Sequence, residues 1–225
     1  MDLSVNRRRL LTVTGVAGIG YTLSWITGLS VPAPSPKLTA SGTEIAAALV
    51  GRGTAVAAQF ALTEGLPAAG LAIVSIALAR AARRSGAAAA ARVALIAGVA
   101  AALISLGAVL AGTASPGTAH LLYDAVNRLD GVKMLALAVL GLAAAASGVL
   151  PRWLRYTGIA LAITITASGV AYLLLLQSLA ILAVPAGVLL LVFITGAGIT
   201  LGTSAGKPSR GAPAARKAAQ QEAAV

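Results

Sequence analysis

Six long apolar runs constrain this chain more than any other feature of its sequence. They cover about residues 10–29, 54–79, 93–111, 132–150, 156–176 and 179–201. Each has roughly the 20 residues that an α-helix needs to cross about 30 Å of hydrocarbon. In lipid, a helix satisfies the backbone hydrogen bonds within its own segment. The pattern therefore predicts an all-α integral membrane bundle of six transmembrane helices over residues 10–202, without a soluble domain.

The composition agrees with burial in lipid. The chain is 58% hydrophobic and only 10% charged, whereas soluble domains carry about 25% charged residues. The net charge of +11 would indicate a nucleic-acid partner in a soluble protein. Here the basic residues separate the apolar runs instead. We therefore expect the lipid bilayer, and no nucleic acid, as the partner.

The basic residues also predict the orientation. If the N-terminus is cytoplasmic, thirteen of the 17 basic residues face the cytoplasm, as the positive-inside rule requires of short loops. The thirteen are Arg7, Arg8, Arg9, Arg80, Arg83, Arg84, Arg92, Arg152, Arg155, Lys207, Arg210, Arg216 and Lys217. This predicts a multi-pass protein of the cytoplasmic (inner) cell membrane with both termini inside. Residues 1–9 form the cytoplasmic N-terminus, and residues 203–225 form a disordered basic tail.

The first run has a competing interpretation. The segment Asn6–Leu11 contains three consecutive arginines and resembles a twin-arginine export signal. However, the following run of 20 residues is longer than a typical signal core, and the cleavage candidate near Ala33 lies among prolines. We interpret the run as a retained helix. A cleaved form would have five spans.

The segment between the first two runs has its own pattern. Alternating prolines in Val31–Pro36 favour an extended path. The residues Thr43–Val50 then predict a short helix, with Ser41 or Thr43 as its N-cap.

Glu64 is the acidic residue that lies well inside an apolar run. It follows Thr54 by ten residues, or roughly 15 Å along a helix. An ionised carboxylate near mid-membrane costs at least about 2.5 kcal/mol, so it must be protonated, paired or hydrated. Gln59 lies five residues earlier, and Pro67 predicts a kink three residues later. Glu64 is either a proton or solute site, or a capping group at the outer interface if the helix starts later.

A second polar group lies at the start of the fourth run. Its members are His120, Tyr123, Asp124, Asn127, Arg128, Asp130 and Lys133. Asp124 and Arg128 have the i,i+4 spacing of a helical ion pair. Asp130 and Lys133 have the i,i+3 spacing. Lys133 can also reach Glu64 if the second and fourth spans touch. The group forms either an outward-facing polar pocket or a solvated helix entrance with weak surface ion pairs.

Several chemistries are excluded by what the sequence lacks. The chain has no cysteine, which excludes disulfides and thiolate metal sites. His120 is the single histidine, so a bis-histidine haem within one chain is excluded too. No phosphate-binding loop and no metal-ligand cluster is present, so no cofactor and no metal are expected.

Three segments carry a family resemblance. They are Gly20–Leu29, Asn127–Met134 and Leu150–Leu154. Together they resemble uncharacterised six-helix multi-pass membrane proteins of actinobacteria, a domain-of-unknown-function family. The resemblance covers about residues 5–202 and implies six helices, but it brings no activity.

Two functions follow as hypotheses. In the first, the protein binds or transports a small solute, a lipid or a proton through Glu64, Gln59 and the polar group of the fourth span. In the second, it is a non-catalytic accessory or scaffold subunit that docks a membrane-protein partner or a second copy. The shortage of catalytic groups argues against an enzyme.

Overall fold

A computed structural model describes the backbone of residues 3–112 and 119–204 and the side chains of residues 13–107 and 123–203. The described part of the chain is helical. Its α-helices are α1 (Leu3–Leu29), α2 (Gly42–Leu49), α3 (Gly53–Phe60), α4 (Leu66–Arg84), α5 (Ala88–Gly112), α6 (Ala119–Ala146), α7 (Arg152–Leu173) and α8 (Ala183–Ser204). A π-helical turn, Ala61–Gly65, joins α3 to α4, and a 3-10 helix, Gln177–Leu182, precedes α8. The predicted tail, residues 203–225, lies almost wholly outside the described residues.

The long helices form a closed ring. Each of α4, α5, α6 and α7 packs against the next long helix in the chain, and α1 packs against both α8 and α4. The core inside this ring consists of small and aliphatic side chains, with Phe193 and Ile194 of α8 fully buried. Because α1 closes the ring, the first apolar run is part of the same bundle as the others.

Glycines allow the helices to approach closely. A Cβ atom on Gly131 would lie 2.7 Å from the carbonyl oxygen of Gly169, and one on Gly141 would lie 2.7 Å from that of Gly158. These two contacts lie along the antiparallel α6–α7 interface. In lipid, where hydrophobic driving force between helices is absent, such small-residue contacts provide the packing. Gly131 and Gly141 thus allow α6 and α7 to pack closely.

Five stretches within the described residues are long and apolar enough to cross a membrane. They are Gly53–Arg84, Ala88–Gly107, Tyr123–Ala146, Arg152–Leu173 and Gln177–Thr203. The prediction of a multi-pass helical membrane protein is confirmed by the length and composition of these five stretches. The helix α1 has 27 residues and side chains described from Val13 onward.

Some helix bounds differ from those expected. The helix α6 begins at Ala119, so the polar group lies on the same helix as the fourth apolar run, as the helical spacing of its residues indicated. Its polar side chains find partners within the fold, so they do not end the helix. At its other end, α6 stops at Ala146 because Gly148 takes a positive φ of 70°. The expected turn at Gln177 is a 3-10 helix that delays α8 to Ala183.

The segment between α1 and α3 covers one end of the bundle. Ser41 caps α2 and forms a capping box with Glu44, which confirms the prediction of a capped short helix. The carboxylate of Glu44 accepts hydrogen bonds from the Ser41 backbone and hydroxyl, and these bonds lower the pKa of Glu44 below its ordinary value. On the buried side of α2, Ile45 is fully enclosed, and α2 packs against α6.

Candidate functional site

The π-helical turn Ala61–Gly65 positions Glu64. Pro67 has no backbone N–H, so it cannot donate to the carbonyl of Thr63, and the regular hydrogen-bond pattern is interrupted just before it. Two side chains bond the backbone here: the Ser24 hydroxyl donates to the Leu62 carbonyl at 2.7 Å, and the Thr63 hydroxyl donates to the Gln59 carbonyl at 2.9 Å. The predicted kink is therefore a π-helical turn that α1 supports from outside.

Glu64 lies in a buried ion cluster with Lys133 and Asp130. The Lys133 ammonium group donates to both carboxylate oxygens of Glu64 at 2.8 Å, and it also pairs with Asp130. The exposed fractions of the three side chains are 14% for Glu64, 11% for Lys133 and 23% for Asp130. The contact between Lys133 and Glu64 that the sequence allowed is present. We refer to these three residues as the ion cluster.

The ion cluster holds two acids and one base. In their ordinary ionised states the three groups sum to a charge of −1. Arg128 is the next base along α6, but it is exposed and donates to the carbonyl of Leu173 at 2.9 Å, at the end of α7. An exposed guanidinium is screened by solvent and compensates a buried charge poorly. The ion cluster therefore presents a local excess of negative charge inside the bundle.

A cavity of about 240 Å³ lies beside the ion cluster. Every long helix of the ring contributes to its wall, so it lies in the centre of the bundle. Its lining residues are Tyr21, Trp25, Leu29, Thr63, Glu64, Pro67, Leu71, Ser105, Asp130, Lys133, Met134, Leu137, Ile165, Tyr172, Ala183, Ala186, Gly187 and Leu190. The wall thus combines the ion cluster with a larger apolar surface, which is the usual make-up of a small-molecule site.

Aromatic side chains line part of the same cavity. Tyr21 and Trp25 lie four residues apart on α1, and Tyr172 of α7 lines the same cavity. Tyr21 is 6% exposed, and among the described residues no hydrogen-bond partner is found for its hydroxyl. A buried hydroxyl without a protein partner at a cavity wall is available to a bound molecule.

The other predicted site residues are placed differently. The Asn127 side chain donates to the Tyr123 carbonyl of its own helix at 2.9 Å, and Arg128 bonds the end of α7. Neither they nor Asp124 and Gln59 line the cavity. The polar group therefore divides: Asp130 and Lys133 line the cavity, whereas Asn127 bonds a carbonyl of its own helix and Arg128 bonds the end of α7. The side chain of His120 lies outside the described residues.

Sequence reasoning missed part of the wall. Tyr21, Trp25, Ser105 and Tyr172 had no assigned role in the site. The i,i+4 spacing of Tyr21 and Trp25 places both on one face of α1, which is the signal that could have indicated a shared surface. Ser105 carries no such signal, because a serine in an apolar helix commonly bonds its own backbone.

No protein-family model, no curated protein and no solved structure matches this chain. The resemblance to uncharacterised actinobacterial membrane proteins stays a prediction, and the function must be argued from the cavity and its lining residues.

Proposed function

We propose that this chain is a protein of the cytoplasmic membrane with six transmembrane helices, and that it binds a small solute in the cavity beside the ion cluster. One observation carries the proposal: the cavity of about 240 Å³ in the centre of the ring has the buried ion cluster in its wall. Transport of the solute would need a second conformation, so we propose binding.

The place of α1 in the bundle supports six crossings. A Cβ atom on Gly18 would lie 2.9 Å from the Ile194 carbonyl oxygen of α8, and one on Gly70 would lie 2.8 Å from the Ala17 carbonyl oxygen. The hydroxyls of Thr22 and Thr195 are 2.6 Å apart. Removal of α1 as a cleaved signal would strip these contacts and open the cavity wall at Tyr21 and Trp25. We infer that α1 is retained.

The direction of the helices supports cytoplasmic termini. Successive long helices run antiparallel, so the α4–α5 and α6–α7 connections lie at the same end of the ring as the start of α1 and the end of α8. That end carries Arg80, Arg83, Arg84, Arg92, Arg152 and Arg155. Trp153 and Tyr156 are largely exposed there, as aromatic residues of a membrane interface are. The positive-inside rule makes this end cytoplasmic.

A purely structural role explains the ion cluster poorly. Apolar residues of similar volume usually stabilise a fold as well as a buried ion pair does, or better. Ionisable groups inside transmembrane bundles are rare and typically mark binding sites or ion pathways. The cavity also argues for a solute over a bare proton, because a proton needs no volume. At about 240 Å³ it lies just below the usual range of about 300–1,000 Å³ for drug-sized ligands.

Cysteine accessibility tests the proposal directly. The native chain contains no cysteine, so each single-cysteine variant reports one position. Ser105→Cys introduces a thiol into the cavity wall, whereas Ser75→Cys introduces the same thiol at a position that is fully buried and does not line the cavity. We expect the small neutral reagent methyl methanethiosulfonate to modify Ser105→Cys in intact cells and to leave Ser75→Cys unmodified. An inert Ser105→Cys would show that no small molecule reaches the cavity, and the proposal would fail.

A further inference from the structure

The charge and the lining of the cavity indicate which class of solute it takes. We propose that the solute is a small organic ammonium ion, with its cationic group between the ion cluster and the aromatic side chains and its alkyl part against the apolar wall. This inference rests on the proposed function and specifies its ligand.

The charge of the ion cluster favours a cationic ligand. With both carboxylates ionised, the three groups sum to −1. The one base is already saturated, because the Lys133 ammonium group contacts both oxygens of Glu64 and the carboxylate of Asp130. Its three N–H donors are therefore engaged, which leaves no free cationic group in the ion cluster for an anionic ligand. The carboxylate oxygens keep free lone pairs. A cation relieves the local charge excess, whereas an anion adds to it.

The aromatic part of the cavity wall also favours an ammonium group. Tyr21, Trp25 and Tyr172 all line the cavity that holds the ion cluster. Aromatic faces attract ammonium groups through the ring quadrupole, most strongly when the site is desolvated, and clusters of aromatic rings recognise alkylated ammonium ions. The Tyr21 hydroxyl, which has no partner among the described residues, adds a polar group that a ligand can engage. These features favour an alkylated ammonium group.

The rest of the cavity wall argues against divalent metal ions as the preferred occupants. The remaining wall is aliphatic, with Leu71, Leu137, Ile165 and Leu190 among its members. Hard cations such as Mg²⁺ and Ca²⁺ need about six oxygen ligands, and no group of metal-ligating side chains is found among the described residues. An alkyl group, by contrast, gains by covering these aliphatic side chains.

The experiment compares two charged thiol reagents on Ser105→Cys in purified protein. One transfers a 2-(trimethylammonio)ethylthio group, and the other transfers a 2-sulfonatoethylthio group; in each, the thiolate attacks the reagent's sulfenyl sulfur, a disulfide forms and methanesulfinate leaves. Val50→Cys provides the reference ratio of the two rates, because Val50 is 72% exposed and lies outside the cavity. Relative to that reference, we expect the cationic reagent to be favoured by about 10-fold, since a buried charge of −1 distinguishes probes of opposite sign.

Two further measurements assign the effect to the site. Adding Glu64→Gln, or separately Asp130→Asn, removes one negative charge, and we expect either change to return the ratio to that of Val50→Cys. Tetramethylammonium chloride should slow modification of Ser105→Cys at least several-fold relative to sodium chloride at the same ionic strength. Circular dichroism shows whether each variant is folded, and the two charge-removing variants need not both fold for the test to be decided.

The outcomes separate the two proposals. If both charged reagents react with Ser105→Cys in the reference ratio, or if the anionic reagent is favoured, the ammonium assignment is wrong while the solute site stands. Equal rates in tetramethylammonium and sodium salts would contradict the assignment in the same way. If neither the charged reagents nor methyl methanethiosulfonate reacts, the cavity is closed and the proposed function itself fails.

Discussion

Replacing Lys133 should destabilise the protein much more than replacing Glu64. Lys133→Met leaves two carboxylates without their partner, and loss of one member of a buried pair costs about 3–5 kcal/mol. Glu64→Gln leaves Lys133 paired with Asp130, and the new amide oxygen can still accept a hydrogen bond. We therefore expect Glu64→Gln to lower the free energy of unfolding by about 1–2 kcal/mol.

The double variant provides the coupling energy between Glu64 and Lys133. At the observed N–O distance of 2.8 Å and an effective dielectric constant of about 20, two unit charges attract by about 6 kcal/mol. Desolvation of both groups offsets a large part of this attraction. Asp130, the most exposed of the three, can hydrate once Lys133 is gone. We therefore expect the double variant to lose less than the sum of the single variants by about 2–4 kcal/mol.

The assay is reversible unfolding in mixed micelles of mild detergent and dodecyl sulfate. Far-UV circular dichroism follows the helices. Tryptophan fluorescence follows the cavity wall when all variants carry Trp153→Phe, which leaves Trp25 as the one tryptophan. Gln59→Leu is the control, because Gln59 lies on the same helical segment but does not line the cavity; we expect it to change stability by less than about 1 kcal/mol. If the two single variants cost equally little and their effects are additive, the ion cluster is hydrated and does not hold the π-helical turn to α6.

Three further predictions follow from other parts of the fold. Gly18→Ala should destabilise the bundle, because the new Cβ atom would lie 2.9 Å from a carbonyl oxygen of α8. Gly20→Ala is the control: its Cβ atom would meet open space, so the variant should be neutral or gain up to about 1 kcal/mol of helix propensity. Equal effects of the two variants in thermal unfolding would contradict the α1–α8 contact. The intact mass of the protein purified from its host membrane should equal that of a chain that contains α1. A mass that fits a chain starting near Ala33 would show cleavage. Acidification should loosen α2, because the pKa of Glu44 is lowered in the folded protein. The stabilisation that Glu44 provides is present above the ordinary glutamate pKa of about 4.3 and is lost as pH falls through the lower folded value. Hydrogen exchange of α2, corrected for intrinsic rates, should therefore rise at acid pH in the native chain but not in Glu44→Gln.

Much of the fold could be predicted because lipid imposes a strong pattern on sequence. The length of each apolar run and the capping residues of α2 follow from local chemistry. The surroundings of the polar group on α6 did not, because Asn127 and Arg128 look like the residues of a solvated entrance until their backbone partners on α6 and α7 are known. The π-helical turn was visible only as a kink at Pro67, since its form depends on support from Ser24 of another helix.

The candidate site could be predicted in part for the same reason. Glu64 and Lys133 stood out because charge in an apolar run is costly, and their contact required only that two spans touch. The cavity could not be foreseen, because it results from how the ring of helices closes. Tyr21 and Ser105 are ordinary residues of apolar helices in the sequence, and only the arrangement of the ring brings them to one wall.

Native mass spectrometry of the intact protein, released from nanodiscs prepared directly from host membranes, tests the solute site most directly. The native chain should carry one small molecule at a ratio of one to one. Ala183→Phe, whose ring would occupy part of the cavity, should lose the small molecule. Ala69→Phe, at an exposed position outside the cavity, should retain it. Bare protein in all three samples, or an adduct that Ala183→Phe retains, would contradict a solute site in this cavity.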